Sequence, residues 1–566
     1  MTDRKPIIYQ LVPRLFGNKN TKLVVNGSRS ENGTGKFNDI SNKALQEIKK
    51  LGITHVWYTG IIEHAIAEGY PDAGIPHGNP LVIKGKAGSP YAIRDYYDVN
   101  SDLAENINQR IEEFQNLVTR THQNKMKVII DFVPNHLARE YHSDSKPKGI
   151  SDFGEEDNSS AAFSPNNNFY YLPHEHLHLS DEIRKHFPNT NYLEYPAKAT
   201  GNDQFTAYPQ LNDWYETVKL NYGVDYQNNH SLHFDPVPNT WIKMKDILLY
   251  WAEKGVDGFR CDMAEMVPVE FWHWVIEKIK SAFPEILFIA EVYNPYLYEA
   301  YIKTGKFDYL YDKVGLYDTL KGIIRGERTA GELSQCWQSL NNLDEYMLRF
   351  LENHDEQRIA SPYFASDPMK ALPGMMLSVC FNRGASMIYS GQEFAETGMK
   401  ESGYSGSDGR STIFDYWNLP EHQKWMNDGK FDGELLSDQQ KKLQNAYRDI
   451  LKHAQLPAIS QGEFYDTMWQ NTDSQTFNSD KVYAFLRHTA GQKILIICNF
   501  DSNKQQIQVK IPTHALKIMD IPRPVELHFN KLFSEEEYKI GSEEVAELGL
   551  PLSISGHQYF LLEINY

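Results

Sequence analysis

Four carboxylic acids close four separate apolar runs of this chain. Asp131 follows KVII, Asp262 ends GFRCD, Glu291 follows LFIA, and Asp355 ends LRFLENHD. A single acid after a strand commonly caps the next helix. Four of them, three near a His or an Arg, suggest chemistry instead, because barrel enzymes take their reacting groups from the C-terminal ends of different strands. Within GFRCD the side chains alternate, so Gly258, Arg260 and Asp262 share one face while Phe259 and Cys261 share the other. The first face is expected to line a lumen, where Arg260 would hold the Asp262 carboxyl ionised, as a nucleophile requires. Glu291 follows an apolar strand and lies near Tyr293, surroundings that suit the raised pKa of a general acid. One carboxylate that attacks and one carboxyl that donates its proton is the pairing that cleaves a glycosidic bond with retention. Asp355 would steady positive charge in an oxocarbenium-like state. His136 and His354 offer hydrogen-bond donors from two further strand ends.

Elements must hold these groups together. Short apolar runs alternate with polar helical stretches, the rhythm of βα units. The runs are IIYQLV, ITHVWYTG, KVIIDFVPNH, VDGFRCDMA, LFIAEVYN, FDYLYD, LRFLENHD and ASMIYSGQE. NINQRIEEFQNLVTRTHQNK and TWIKMKDILLYWAEKG carry apolar residues at three- and four-residue spacing, as amphipathic helices do. Eight strands alternating with helices predict a (β/α)8 barrel, although a doubly wound sheet shares the rhythm. The barrel is expected over residues 1–136 and 239–454. Residues 137–238 break the pattern with Asn, Asp, His, Tyr and Pro, so they read as an insertion domain leaving the third strand at the end where barrel sites are built. Residues 455–566 alternate apolar and polar positions, as in KVYAFLRH and KILIICNF, and are expected to form an antiparallel β-sandwich domain.

At 566 residues the chain is long enough for two or three domains. A formal net charge of −18 argues against a nucleic-acid partner, since phosphate neutralisation needs clustered Lys and Arg. Cys261, Cys336, Cys380 and Cys498 lie far apart, with no CxxC pair and no disulfide framework, and read as buried thiols. The start, MTDRKPIIYQ, lacks a long apolar h-region, and no later run approaches a membrane span. As given, the chain reads as cytoplasmic, or as periplasmic or extracellular if a leader has been removed.

The motifs resemble those of the α-amylase family of glycoside hydrolases, in the family order. DFVPNH (Asp131 to His136) is similar to its first signature, GFRCDMAEM (Gly258 to Met266) to the second, EVY (Glu291 to Tyr293) to the third and FLENHD (Phe350 to Asp355) to the fourth. ASMIYSGQE resembles the eighth-strand segment, and SPYAIRDYYDVN the segment before the third strand. The likeness runs from about Pro6 to the end. It implies Asp262 as nucleophile, Glu291 as acid/base and Asp355 as transition-state stabiliser, with Arg260, His136, His354 and Tyr91 lining the central subsite and Tyr91 stacking on the sugar. Asp131 matches a residue judged structural. The resemblance also implies a structural calcium held by the Asn135 side chain, the backbone at Met266 and partners from the insertion, in keeping with calcium's preference for oxygen. Two departures bear on substrate. Glu265 and Met266 stand where many α-amylases carry a Lys-His pair that contacts sugar beyond the cut. Ala92 follows Tyr91 where exo-acting α-glucosidases place an Asp. VKLNYG, around Leu220 and Asn221, only loosely resembles the insertion-domain motif. The expectation is an endo-acting hydrolase of α-1,4-glucans such as starch, glycogen or maltodextrins. A glucanotransferase is the alternative within the mechanism, and a non-catalytic glucan-binding protein the alternative outside it.

Overall fold

The computed structural model describes residues 5–398, 401 and 403–566; the first four residues of the charged start lie outside them. Each of the eight apolar runs contributes one parallel strand. These are β1 (Ile7–Leu11), β2 (His55–Tyr58), β3 (Lys127–Phe132), β4 (Gly258–Cys261), β5 (Leu287–Ala290), β6 (Tyr309–Tyr311), β7 (Met347–Leu348) and β8 (Ser386–Tyr389). Hydrogen-bonded neighbours run β7-β6-β5-β4-β3-β2-β1-β8. A parallel bridge from Arg349 to Ser386 then joins the two ends. The ring therefore closes, and the doubly wound alternative falls away.

Helices α1 (Asn42–Lys50), α2 (Arg110–Gln123), α3 (Asn239–Glu253), α4 (Val269–Ala282), α5 (Asp318–Ile324), α6 (Leu372–Cys380) and α7 (Asp438–His453) surround the ring. α3 buries Trp241, Met244, Ile247, Leu248 and Trp251, a stripe at helical spacing. α7 starts with a capping box, in which Ser437 and Gln440 satisfy each other's backbone N–H. Between β5 and β6 the rhythm shortens to a five-residue π-type turn, Ala300–Thr304. On β4 the alternation places Phe259 outward, its ring 5.7 Å from Phe288 and 6.3 Å from Phe132. Arg260 and Asp262 point the other way, into the lumen.

Past β3 the chain leaves the barrel. His136–Ala138 pairs antiparallel with Thr217–Lys219, which seats Lys219 opposite His136. Two more short ladders follow, Tyr171–Leu172 with Ala197–Lys198 and Val224–Asp225 with Ser231–Leu232. A small apolar core of Leu172, Leu177, Leu179 and Ile183 stands under this region, closed by Leu81 and Val82 of a barrel loop.

The last segment contains β9 (Glu463–Asp466), β10 (Val482–His488), β11 (Lys493–Asn499), β12 (Gln505–Val509), β13 (Glu526–Lys531), β14 (Glu537–Gly541), β15 (Leu550–Ile554) and β16 (Tyr559–Asn565). Six of them form one antiparallel sheet, β9-β10-β11-β16-β13-β14, and β12 pairs with β15. α6 is buried along its whole length because it packs against both α7 and β11, so it is apolar on every face. All four cysteines are free and buried. No helix among the described residues is long and apolar enough to cross a membrane.

Arg487 of β10 fastens this sheet to the barrel. Its buried guanidinium donates to the carbonyls of Phe381, Ala458, Ile459 and Gly462 at 3.1, 3.2, 2.9 and 2.7 Å. Arg487→Met would strand four buried carbonyls, each of which costs about 1–3 kcal/mol when left unsatisfied, less whatever water recovers. The expected outcome is a loss of about 3 kcal/mol or more, read as a lowered thermal midpoint. An unchanged midpoint would show that the joint does not depend on Arg487.

Candidate active site

The chemistry gathers at the C-terminal ends of β3, β4, β5 and β7. Arg260 is fully buried at its centre. One of its terminal nitrogens donates to Asp262 Oδ1 at 2.7 Å, and the other lies 2.7 Å from Glu291 Oε1, an ion pair without hydrogen-bond alignment. Asp131 Oδ1 stands 3.6 Å away. Nε donates to the Tyr311 hydroxyl at 3.1 Å. The rings of Trp57, Tyr91 and Tyr311 surround the guanidinium at 5.3–5.5 Å. Strand register accounts for part of this, since Arg260 is the direct neighbour of Asp131 across the β3–β4 ladder.

Glu291 is held from two more sides. The Tyr293 hydroxyl donates to Oε1 at 2.7 Å, and the Met263 N–H donates to Oε2 at 2.8 Å. Met263 reaches that position by adopting a left-handed backbone, φ 43°, an uncommon state for a residue other than glycine and one that clusters at functional sites. Burial, and then the charge on Glu291, push the Asp262 carboxyl well above its usual range, with Arg260 opposing. This corrects the expectation that Arg260 keeps Asp262 ionised by itself. The guanidinium is divided among three carboxyls, so it only partly offsets what burial and the neighbouring charge do to Asp262.

Asp355 behaves differently. Burial works against its charge, but His354, whose Nε2 lies 2.9 Å from Oδ2, more than offsets it and brings the carboxyl down to about 2. Gln10 contacts the other ring nitrogen of His354 at 2.7 Å, and the Tyr91 hydroxyl also meets Nε2. Burial, then the charges of Lys219 and Lys84, bring His136 down to about 3, so its ring is neutral. The Asn135 amide lies 3.1 Å from His136 Nδ1; with that nitrogen accepting, Nε2 carries the hydrogen. Asp131 is occupied elsewhere: it accepts from the Trp57 indole, the Gly60 N–H and Tyr91, tying β2 to β3.

Tyr91, His136, Asp262, Glu291 and Asp355 open onto one hollow of about 250 Å³. A larger hollow, about 590 Å³, lies at the opposite end of the strands around His55, Lys127 and Asp308. Barrel sites are built at the C-terminal end, so the smaller hollow is the candidate. Several of its walls were not anticipated. Trp214 and Glu216 come from the insertion, Lys84 from a barrel loop, and Ile413 and Phe414 from the segment after β8. Lys84 and Glu216 form an ion pair at 3.0 Å, and Trp214 packs 5.1 Å from the His136 ring. Trp214 was the discoverable one, an aromatic within the irregular insertion; the Lys84–Glu216 pairing left no mark in the sequence.

The groups expected to hold calcium, Asn135 and Met266, do come together, but around a different cation. Lys219 Nζ donates to Asn135 Oδ1 at 2.5 Å and to the Met266 carbonyl at 3.2 Å, and lies 2.7 Å from Asp203 Oδ1. Calcium takes six to eight oxygens, and a tethered ammonium stands in the middle of the three found here. The oxygens present do not fit the ion. Glu265 is also committed, accepting from the N–H groups of Tyr293 and Asn294 at 3.1 and 2.9 Å. Asn18 and Asn32, in the Asn- and Gly-rich loop near the start, bind backbone carbonyls through their amides.

The profile described as "Alpha amylase, catalytic domain" matches residues 10–505. Alpha-amylase 3 of Dictyoglomus thermophilum is 23% identical over 517 residues, which is 88% of this chain and 85% of that protein. An alpha-1,4-glucan:maltose-1-phosphate maltosyltransferase of Picrophilus torridus is 22% identical over 539 residues, 90% of this chain and 65% of that protein. Among solved structures, a noncanonic maltogenic alpha-amylase, AmyB, of Thermotoga neapolitana superposes with a TM-score of 0.60 at 20% identity, covering 99% of both chains. At that identity the likeness is one of fold.

Arg260→Lys tests the shared guanidinium. An ammonium keeps the charge but cannot serve two carboxyls in a planar fork. With less positive charge beside it, Asp262 binds its proton more readily, so the ionised nucleophile appears only at higher pH. The acid limb of the kcat/KM profile is therefore expected to move to higher pH, with turnover falling by about 100-fold. An unmoved acid limb would refute the balance described.

Proposed function

Because this chain belongs to the α-amylase family of glycoside hydrolases, we propose that it cleaves α-1,4-glucans internally, with retention, through a covalent glycosyl-enzyme on Asp262. The observation that carries this reading is the bridging of Asp262 and Glu291 by the two ends of one guanidinium. Both carboxyls are thereby held within reach of a single anomeric carbon.

A sugar seated against Asp262 needs that carboxyl bare, and the departing oxygen needs the proton that Glu291 supplies. Asp262 attacks the anomeric carbon while Glu291 protonates the departing glycosidic oxygen. Glu291, now a carboxylate, takes a proton from the incoming water, and the ester to Asp262 breaks with a second inversion. Asp355, ionised through His354, faces the sugar and stabilises the charge that develops on the ring. His136 donates to a hydroxyl, and Tyr91 supplies the stacking surface.

Two features support an internal cut. Ala92 lies in a small apolar cluster with Ala65, Ile83 and Ala138, so no acid beside Tyr91 grips a chain end. Glu265 is bound to the backbone after β5 and leaves the leaving-group side to other contacts. A glucanotransferase is the second reading. The likeness to a maltosyltransferase over 90% of the chain favours it, and Trp214, Ile413 and Phe414 offer apolar walls on which an acceptor sugar can rest.

A timed product profile on maltoheptaose separates the two. Short maltooligosaccharides with the α-anomer formed first are expected, the latter read by proton NMR. Products longer than the substrate would replace hydrolysis with transfer, and a β-anomer formed first would overturn the double displacement. Asp262→Asn is expected to lower turnover by about 1000-fold or more. Unchanged turnover would remove Asp262 from the role of nucleophile.

A further inference from the structure

We propose that the ammonium of Lys219 is the resident cation at the joint between barrel and insertion, standing in for a structural calcium, so that the chain requires no divalent ion there. The placement follows from strand pairing. His136–Ala138 and Thr217–Lys219 form an antiparallel ladder in which Lys219 faces His136, and the Leu220 N–H continues it by donating to the Asn135 carbonyl at 3.0 Å. The Lys219 side chain is 2% exposed. Its Nζ meets one oxygen from each of three segments: Asn135 after β3, Met266 after β4 and Asp203 in the insertion. Asn135 and Met266 accept its hydrogen bonds, and the Asp203 carboxylate, 2.7 Å away, supplies the opposite charge. The Tyr226 ring, 5.5 Å away, covers a further side.

The same atoms would make a poor calcium site. Calcium needs at least three more oxygens at 2.3–2.6 Å. Among the described residues no cluster of three or more His, Cys, Asp or Glu could hold a metal. The nitrogen is covalently tethered and enclosed, so an ion could enter only by expelling the side chain into packed protein. Asn135 is also fixed from behind, its amide donating to the Gly201 carbonyl at 2.8 Å. A Cβ on Gly201 would strike His136 Cβ at 2.8 Å, so the insertion backbone is seated directly against the site. The lysine thus does the work of a bridging ion. It binds the insertion to the loops that carry His136 and Asp262, and no chelator can remove it.

The test is the thermal midpoint and the calcium content of the purified full chain, each measured in EDTA and in millimolar calcium chloride at equal ionic strength. Midpoints that agree within about 1 °C, with less than stoichiometric calcium retained after desalting, are expected, because a ligand that binds the native state raises its midpoint. A calcium-dependent rise of several degrees, or one tightly held calcium per chain, would overturn the proposal. Lys219→Met keeps the length and removes the charge. It is expected to lower the midpoint by several degrees, whereas a midpoint equal to that of the wild type would overturn the role given to the ammonium. Should Lys219→Met not yield folded protein, the wild-type calcium titration decides alone.

Discussion

Inside the barrel lumen one guanidinium balances three carboxyls, and the rest of the site is arranged around that shortage of positive charge. Removing one partner from a buried ion pair costs about 3–5 kcal/mol, because a charge is left uncompensated in a medium of low polarity. Arg260 therefore cannot be spared by any of its partners. Nor can it satisfy all of them, and the remainder is met by neutral donors: the Trp57 indole and Gly60 N–H on Asp131, and the Tyr293 hydroxyl and Met263 N–H on Glu291. What remains is felt at Asp262, whose carboxyl burial and the charge on Glu291 push well above its usual range. A double displacement needs one carboxyl bare and one protonated, and the charge balance around Arg260 sets how readily Asp262 gives up its proton.

Other cations complete the pattern. Lys219 joins three loops beyond the strand ends, and Arg487 fastens the terminal sheet beneath α6. Each binds oxygens from segments far apart in sequence, so each closes a long loop that would otherwise be free to move. The barrel supplies the direction of the reacting groups, and these buried cations lock the pieces that the strands do not reach.

How much of this could be read in advance depended on periodicity. The eight strands were legible because each is an apolar run ending in a polar group, and the period of two on GFRCD placed Arg260 and Asp262 together on the lumen side. The ring closure was not, because β7 has only two residues and the link from Arg349 to Ser386 is a single bridge. Ionisation was misjudged for a related reason. From the sequence Arg260 has one neighbour, Asp262, and only the fold reveals that Glu291 and Asp131 share it. Lys219 stood in view in VKLNYG, but its meaning depends on the antiparallel register that sets it opposite His136. Trp214, Glu216 and Lys84 come from stretches with no repeating pattern, where composition marks a region and selects no residue.

The walls and the centre of the pocket are therefore under different control. The carboxyls and their guanidinium sit on adjacent strands, where a shift of one residue would turn every side chain to the other face. Their geometry is as rigid as the barrel. Lys84, Trp214, Glu216 and Phe414 come from loops that the barrel anchors only at their ends, and loops tolerate change far better than the strands that bear them. Whether water or a second sugar resolves the glycosyl-enzyme depends on what those walls admit, since the bond to Asp262 is the same in both cases. Specificity and reaction type can then change through the insertion and the segment after β8 alone, while the balance around Arg260 stays as it is.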